Sequence, residues 1–308
     1  MPGIGNGAAA AAGGGAAARA AFASRVRSRE FTPLPGVFDL ISARICDGYG
    51  FSGLYMTGYG AVASHLGLPD AGLATYSEMV ERVSRICSVT RTPLIADADT
   101  GYGGLLNVQH TVRGYERAGA AGIQLEDQQF PKKCGHAPGS RPVIELPEAV
   151  AKIAVAVESR ESEDFLVVAR TDARSDYGLA EALRRAEAFA RAGADVLFVE
   201  GPRSLEEMRA VGRALDLPLM ANMVDGGRTP VLSREELREV GYTLALFPAT
   251  GFLAAGAALR SVYSHIAEHG SSAGLAQPLH DFDAFSELMG FPEVREFEER
   301  WASRVEEL

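Results

Sequence analysis

The sequence has few cysteines, no excess of positive charge and no long apolar run, and each of these shortages excludes a class of protein. Its 308 residues include three cysteines, Cys46, Cys87 and Cys134, an odd set without the spacing of a zinc site or a disulfide framework. Lys and Arg number 30 against 40 Asp and Glu, and the net charge of −10 has the wrong sign for binding a phosphate backbone. We therefore expect no nucleic-acid partner, and a reducing cytoplasm as the compartment.

The chain also lacks the segments that address a membrane. No apolar run approaches the roughly 20 residues that a bilayer-spanning helix needs, so no membrane partner is expected. The N-terminal stretch MPGIGNGAAAAAGGGAAARA is rich in Ala and Gly and lacks the basic segment of a secretory signal. These features predict a disordered tail over residues 1–24.

The rest of the chain alternates short apolar runs with longer amphipathic segments. Eight runs read as buried parallel strands, at 33–38, 52–58, 92–99, 121–127, 164–171, 194–201, 217–223 and 242–248. Helix-like segments such as LNVQHTVRGYERAG and GLAEALRRAEAFARAG lie between them, and each ends in a Gly that is a C-cap signal.

This alternation favours an α/β fold of the (β/α)8 TIM-type barrel class. The predicted catalytic barrel covers residues 25–275, and a C-terminal helical arm follows at 276–308. A Rossmann-like open sheet is the alternative, which the lack of a GxGxxG motif after the first strand weakens.

Polar residues end five successive strand-like runs. A single such residue often caps the next helix, but in a barrel all the carboxyl ends of the strands meet at one mouth. The residues concerned are Asp97 and Asp99, Glu126 and Asp127, Arg170 and Asp172, Glu200, and Asn222. The pattern therefore predicts an active site built from these side chains.

The acidic side chains in this set indicate a metal. Asp97, Asp99 and Glu126 would repel one another in a small volume unless a cation neutralised them, and hard oxygen ligands suit Mg²⁺, with Mn²⁺ as a substitute. We expect Asp99 to ligate directly and the other two to act through water. Arg170 and Lys132 supply positive charge for an acidic ligand. The expected partner is therefore a small anionic carboxylate.

The segment QLEDQQFPKKCGH places Cys134 in a polar loop after the fourth strand. Lys132, Lys133 and His136 surround the thiol, and a cationic setting of this kind lowers a thiol pKa. Cys46 and Cys87 lie in apolar helix-like segments and read as structural thiols. We interpret the loop as a lid that brings Cys134 to the substrate as an acid or a nucleophile.

Motifs in this order and spacing resemble those of the isocitrate lyase and phosphoenolpyruvate mutase superfamily. They are MTGYGAVASHLGLPD, ADADTGYGG, LEDQQFPKKCGH, VARTDAR, FVEG, ANMVDGGRTP and FSELMGF, and the resemblance covers about residues 25–300. Within the superfamily the chain looks closest to the branch that holds 2-methylisocitrate lyases, dimethylmalate lyases, petal-death-type 2-alkylmalate lyases and carboxyphosphonoenolpyruvate mutase. Full-length isocitrate lyases are much longer.

The resemblance implies roles for individual residues. Those implied to bind substrate are Thr57, Gly58, Tyr59, Gly135, Arg170, Glu200 and Asn222. Those implied to form the metal site are Asp70, Asp97, Asp99 and Glu126. Those implied to be catalytic are Cys134, Arg170, Glu126, Lys132 and His136. The family usually has Ser where Thr57 stands and often a small residue where Tyr59 stands, so the substrate pocket is expected to differ from that of many relatives.

The function that follows is Mg²⁺-dependent cleavage of a carbon–carbon bond in a 2-hydroxy di- or tricarboxylate, giving a 2-keto acid such as pyruvate and a carboxylate. Cys134 would protonate the departing carbanion, and Tyr55, Tyr59 and Glu126 are candidates for the base. The alternatives are a carboxyphosphonoenolpyruvate-type phosphonomutase, an oxaloacetate decarboxylase, and a binding barrel without turnover. The resemblance also implies a homotetramer of dimers that exchange their C-terminal helices.

Overall fold

The structure is a computed structural model that describes residues 15–134 and 139–307, and a sheet of eight parallel strands forms its centre. The strands are β1 (Thr32–Val37), β2 (Leu54–Met56), β3 (Leu94–Asp97), β4 (Gly122–Glu126), β5 (Leu166–Thr171), β6 (Val196–Val199), β7 (Met220–Asn222) and β8 (Leu244–Phe247). Their order is β6-β5-β4-β3-β2-β1-β8-β7, and a parallel bridge between Leu197 and Leu219 joins the two outer strands. The predicted barrel is confirmed, and the Rossmann-like alternative is wrong.

Thirteen helices occur within the described residues. They are α1 (Gly15–Arg27), α2 (Leu40–Asp47), α3 (Gly58–Leu66), α4 (Tyr76–Val89), α5 (Leu105–Arg117), α6 (Leu146–Ser159), α7 (Arg174–Tyr177), α8 (Leu179–Arg191), α9 (Leu205–Ala214), α10 (Arg234–Glu239), α11 (Thr250–His269), α12 (Phe282–Met289) and α13 (Phe291–Glu307). The predicted glycine stops follow α5 and α8, where Gly119 and Gly193 have φ of 100° and 96°. Only glycine adopts this conformation without strain, so both helices end within two residues of it.

The first helix corrects the prediction of a disordered tail over residues 1–24. Residues 15–24 belong to α1, whose Phe22, Ala23 and Val26 are buried with the inward-facing side chains of the strands. The Phe22 ring lies so close to Gly53 that a Cβ there would be 2.5 Å from it. Burying one such aromatic side chain stabilises the fold by about 2–3 kcal/mol. The tertiary contact therefore orders a segment whose Ala/Gly composition predicts none; residues 1–14 lie outside the described residues.

The chain divides into two compact units, one up to Phe252 and one from Leu253 onward, whereas the sequence predicts the boundary at residue 275. The second unit holds most of α11 together with α12 and α13. Large apolar side chains of this unit are exposed, among them Leu259, Tyr263, Phe282, Phe291 and Phe297. Among the described residues, no helix has the length and apolarity to cross a bilayer.

Candidate active site

The turn that follows β3 carries two of the predicted carboxylates. Asp97 ends the strand, and its Oδ1 accepts a hydrogen bond from the Asp99 backbone N–H at 3.0 Å. Asp99 has a φ of 49°, and Gly101 and Tyr102 follow with φ of 85° and 58°. A non-glycine residue in this left-handed region is strained, and such strain concentrates at functional sites. The tight winding keeps Asp97 and Asp99 on the mouth side of the barrel, where both are largely buried.

Lys132 lies between carboxylates that come from distant parts of the chain. Its Nζ is 2.7 Å from Asp99 Oδ1 and also donates to Asp70, and all three side chains are largely buried. Burial lowers the pKa of Lys132, but the attraction of Asp99, Asp70, Glu126 and Asp97 outweighs it, so the pKa is raised well above its usual value. Burial raises the pKa of Asp99 to about 7, although Lys132 opposes the rise. The ammonium group thus supplies positive charge among the acids.

The loop that carries Lys132, Lys133 and Cys134, which we call the cysteine loop, also contacts the acidic cluster through its backbone. The acidic cluster consists of Asp70, Asp97, Asp99 and Glu126. The backbone N–H of Cys134 donates to the backbone carbonyl of Asp70 at 3.2 Å. Gln128 helps to form the loop, since its side-chain oxygen accepts from the Lys133 N–H at 3.0 Å and its amide donates to Glu126 at 2.9 Å. The described part of the loop is therefore tied to Asp70 and to Glu126. Gly135 and His136, both predicted site residues, lie outside the described residues.

Arg170, at the carboxyl end of β5, is surrounded by three acids. Its Nε and Nη2 donate to Asp172 at 2.8 and 2.9 Å, and its Nε is 3.4 Å from Glu126. Glu200 is 3.8 Å from Nη2, and the guanidinium stacks over the Phe198 ring at 5.0 Å. Burial lowers the pKa of Arg170, yet the three acids raise it well above its usual value. Arg170 is therefore a fixed cation in a rigid position.

Glu200 and Asn222 form the side of the mouth beyond Arg170. The Asn222 amide donates to Glu200 at 3.0 Å, and the Glu200 side chain is fully buried. These residues end or follow β6 and β7, as the strand-end pattern predicts. With Asp97, Asp99, Glu126 and Arg170 they surround one end of the barrel, because the strands are parallel.

The start of α3 forms the remaining wall. Thr57 is the N-cap, and its hydroxyl accepts from the Gly60 N–H at 3.4 Å. A Cβ on Gly58 would lie 2.4 Å from Asp97 Oδ2, so glycine is required for the helix start to approach this carboxylate. A helix N-terminus of this kind binds anions through its free N–H groups. Tyr59 is 42% exposed, and its ring packs on Phe252 with the ring centres 5.3 Å apart.

The donor set fits a magnesium ion bound mostly through water. Among residues 15–134 and 139–307, no three His, Cys, Asp or Glu side chains are arranged to hold a metal directly. Magnesium keeps several waters and uses one or two protein carboxylates, which Asp99 and Asp97 provide with Asp70 and Glu126 close by. The fit rests on this oxygen-rich, largely buried donor set.

Several site residues were missed by the sequence reasoning, although the sequence carries a signal for some of them. Side chains alternate along a strand, so Gln124 and Gln128 share a face with Glu126. Gln124 accepts from the Tyr55 hydroxyl at 2.7 Å and reaches Asp97 Oδ1 at 3.4 Å. Burial, with Asp97 adding to it, raises the pKa of Tyr55 well above its usual value. Tyr55 therefore holds its proton and is a poor base.

Fold and site together define a class: a (β/α)8 barrel enzyme whose mouth gathers carboxylates, a buried arginine and a helix N-terminus. The sequence profile of the family described as phosphoenolpyruvate phosphomutase matches residues 22–267. The 2,3-dimethylmalate lyase of Eubacterium barkeri is 43% identical over 276 residues, which are 90% of this chain and 95% of that protein. The chloroplastic carboxyvinyl-carboxyphosphonate phosphorylmutase of Arabidopsis thaliana is 41% identical over 274 residues, or 88% of this chain and 80% of that protein.

Solved structures give the same answer. A crystal structure of 2,3-dimethylmalate lyase superposes with a TM-score of 0.86 at 35% identity and covers 92% of this chain and 95% of its own. Phosphonopyruvate hydrolase in complex with oxalate and Mg²⁺ superposes with a TM-score of 0.83 at 28% identity, with 92% and 99% covered. The chain belongs to the phosphoenolpyruvate mutase/isocitrate lyase superfamily, and the family resemblance seen in the sequence is confirmed.

Proposed function

We propose that this enzyme is a Mg²⁺-dependent lyase that cleaves a carbon–carbon bond in a 2-hydroxy di- or tricarboxylate of the 2-alkylmalate or 2-methylisocitrate type. The observation that carries the proposal is the contact between the cysteine loop and the acidic cluster. Cys134 N–H bonds to Asp70, and the Lys132 that precedes it bonds to Asp70 and Asp99. The backbone of Cys134 is thereby held beside Asp70, one of the carboxylates of the proposed metal site.

The chain offers two binding points for an anionic substrate. One is the start of α3, where Thr57 and Gly58 present a hydroxyl group and backbone N–H groups beside Asp97. The other is Arg170, whose guanidinium is fixed by Asp172 and Glu126. Two points spaced across the mouth suit a molecule with two carboxylates better than a monoacid. Glu200 and Asn222 would then contact the distal part of the substrate.

A Mg²⁺ ion held by Asp99 and Asp97, with Asp70 and Glu126 around its waters, would supply positive charge to the hydroxyl and carboxylate oxygens of the substrate. Mn²⁺ would serve as a substitute. Lys132 holds Asp70 and Asp99 in place, which makes it a positioning residue for this cluster. The charge of Lys132 alone would indicate direct contact with the substrate. Its two ion pairs favour the positioning role instead.

The reaction needs one proton removed and one delivered. The substrate hydroxyl loses its proton, a carbonyl forms, the adjacent carbon–carbon bond breaks, and the bonding pair stays on the carbon next to the departing carboxylate. Cys134 then gives its thiol proton to that carbon, and the products are a 2-keto acid and a carboxylic acid. Arg170 would stabilise the thiolate that remains.

Of the three candidates for the base, we propose Glu126. Tyr55 commits its hydroxyl proton to Gln124 inside the barrel, and Tyr59 packs on Phe252. Glu126 stands at the mouth, with one oxygen accepting from Gln128 and the other 3.4 Å from Arg170. Both contacts orient the carboxylate, which proton abstraction requires.

A second candidate is a phosphonomutase, because the Arabidopsis thaliana phosphorylmutase is nearly as similar as the dimethylmalate lyase. The same binding points would accept a phosphonate in place of a carboxylate, so the two chemistries must be separated by experiment. Oxaloacetate decarboxylation and binding without turnover remain less favoured, the latter because a buried charged cluster is costly to keep without use.

The test is a substrate panel with purified full-length protein and Mg²⁺. 2,3-Dimethylmalate, other 2-alkylmalates, 2-methylisocitrate and oxaloacetate are followed by 2-keto acid detection, and a carboxyphosphonoenolpyruvate-type substrate by ³¹P NMR. We expect 2-keto acid from at least one hydroxy acid, complete loss with EDTA, and loss of turnover in Cys134→Ser with oxalate binding retained. Full activity in Cys134→Ser would refute the acid role, and a phosphonate product alone would favour the mutase.

A further inference from the structure

Lysine is rare in this protein, and one of its few lysines is buried outside the described site. The chain has 27 Arg but only three Lys, namely Lys132, Lys133 and Lys152. The first two belong to the cysteine loop. Lys152 lies in the middle of α6, where it is 7% exposed on the same face as the buried Ala149 and Ile153. A cation among apolar side chains is costly, so a specific contact must compensate for it.

That contact is with the turn that carries Asp99. Lys152 Nζ donates to the backbone carbonyl of Thr100 at 3.0 Å. Thr100 stands between Asp99 and Gly101, both of which have positive φ. A carbonyl in such a tightly wound turn points away from regular strand or helix partners, and the lysine satisfies it. Burial lowers the pKa of Lys152, although the negative charge of Glu148 opposes this shift. Keeping the ammonium group buried therefore costs free energy, which the hydrogen bond to Thr100 offsets.

Other contacts hold this turn on both sides of Asp99. Tyr115 donates its hydroxyl to the Asp97 carbonyl at 3.2 Å. The Ala98 N–H donates to the backbone carbonyl of Gln124 at 3.0 Å, and the Asp99 carbonyl accepts from the Glu126 N–H at 2.9 Å. Beyond Asp99, the Gly101 N–H donates to the Ala98 carbonyl at 2.9 Å, and the Thr111 hydroxyl donates to the Gly101 carbonyl at 3.4 Å. Lys152 binds the carbonyl of the peptide between Thr100 and Gly101, one peptide beyond Asp99, so it stabilises the winding of the turn around Asp99 and joins the turn to α6.

We propose that Lys152 is a positioning residue that orients the Asp99 carboxylate for a divalent cation and ties the metal-binding turn to α6, the helix that follows the cysteine loop. The inference rests on the proposed metal site. It explains why lysine stands at 152 in a chain that otherwise prefers arginine. A compact ammonium can reach one carbonyl from a buried helix face, whereas a planar guanidinium is larger and needs several acceptors.

The test compares Lys152→Met with Ile153→Val in the full-length protein. Met keeps the unbranched apolar chain and removes the ammonium, while Ile153→Val removes one buried methyl group from the same helix. Mn²⁺ binding is measured from the free-ion signal in electron paramagnetic resonance, and melting temperature is recorded without metal. We expect Mn²⁺ affinity to fall roughly tenfold in Lys152→Met and to stay at the wild-type value in Ile153→Val, although both variants melt earlier.

Lys152→Gln serves as a second variant if the Met variant does not fold. Its amide keeps an N–H donor but is one atom too short to reach Thr100, so Mn²⁺ affinity should fall here as well. Wild-type affinity in a folded Lys152 variant would overturn the inference and leave the lysine with a purely structural role. Absence of Mn²⁺ binding by the wild-type protein would instead overturn the proposed metal site, and this inference with it.

Discussion

Asp172 is the residue through which we expect stability and activity to be lost together. Its two oxygens accept from Arg170 Nε and Nη2 at 2.8 and 2.9 Å, and Arg141 Nε lies 3.7 Å from the same carboxylate. The Asp172 side chain is fully buried, and Arg170 is 10% exposed. The substitution Asp172→Asn keeps the shape but turns one acceptor into a donor that faces a guanidinium.

The expected cost follows from burial. Breaking a buried ion pair while leaving one charge inside destabilises a protein by about 3–5 kcal/mol. Arg170 keeps Glu126 at 3.4 Å and Glu200 at 3.8 Å, so we expect the lower end of the range, about 3 kcal/mol. The guanidinium would also turn toward these acids and away from the substrate. A displacement of a substrate-binding group by about 1 Å lowers kcat/KM by roughly 100-fold.

A matched control exists in the pair Arg174–Glu207. There too a guanidinium donates through Nε and Nη2 to both carboxylate oxygens, but the side chains are 11% and 26% exposed. Water reaches the Glu207 carboxylate, so Glu207→Gln is expected to cost less than Asp172→Asn, about 1–2 kcal/mol, and to leave kcat/KM unchanged. Urea unfolding followed by circular dichroism and steady-state kinetics measure both effects. If Asp172→Asn is no more destabilising than Glu207→Gln, the reasoning about the buried arginine is refuted.

Three further predictions concern other parts of the molecule. Gly58→Ala puts a Cβ 2.4 Å from Asp97 Oδ2 and should lower kcat/KM roughly tenfold. The control Gly104→Ala, whose Cβ meets no atom within 4 Å, should leave kcat/KM unchanged. Equal kcat/KM values for the two variants would contradict the close approach of Gly58 to Asp97. Burial raises the pKa of Asp127 to about 6, so its contribution to stability is present below about pH 4 and is lost as the pH rises through 6. Urea unfolding should show the stability of wild type relative to Asp127→Asn falling by about 2–3 kcal/mol between pH 4 and 7, and a constant difference would argue against the shift. We predict that light scattering gives a tetramer for the full-length chain and a smaller species for a truncation at residue 275, and an unchanged mass would contradict the proposed helix exchange.

The fold was predictable because it depends on local signals. Buried parallel strands read as short apolar runs, and glycines such as Gly119 and Gly193 mark where helices end. The positions of Asp97, Glu126 and Arg170 then follow, since parallel strands bring their carboxyl ends to one side. These features need no knowledge of how distant segments meet.

The contacts within the site join segments that are far apart in the sequence, so sequence patterns do not predict them. Lys132 pairs with Asp70, 62 positions away, a contact that no pattern in the sequence indicates. Helix α1 forms because Phe22 and Val26 are buried, which its composition does not reveal. By contrast, Asp172 stands two residues after Arg170, and strand alternation places the two on the same face, so this pair is predictable from the sequence.

The most direct test of the central claim is cleavage of 2,3-dimethylmalate in D₂O, followed by ¹H NMR with and without EDTA. The account predicts pyruvate and propionate in equal amounts, with one deuterium on the propionate carbon that was bonded to the hydroxyl-bearing carbon, because Cys134 exchanges its proton with solvent before delivering it. Cys134→Ser should form neither product at a comparable rate. Cleavage that persists in EDTA, or equal turnover in Cys134→Ser, would contradict the proposed metal-dependent, cysteine-assisted lyase.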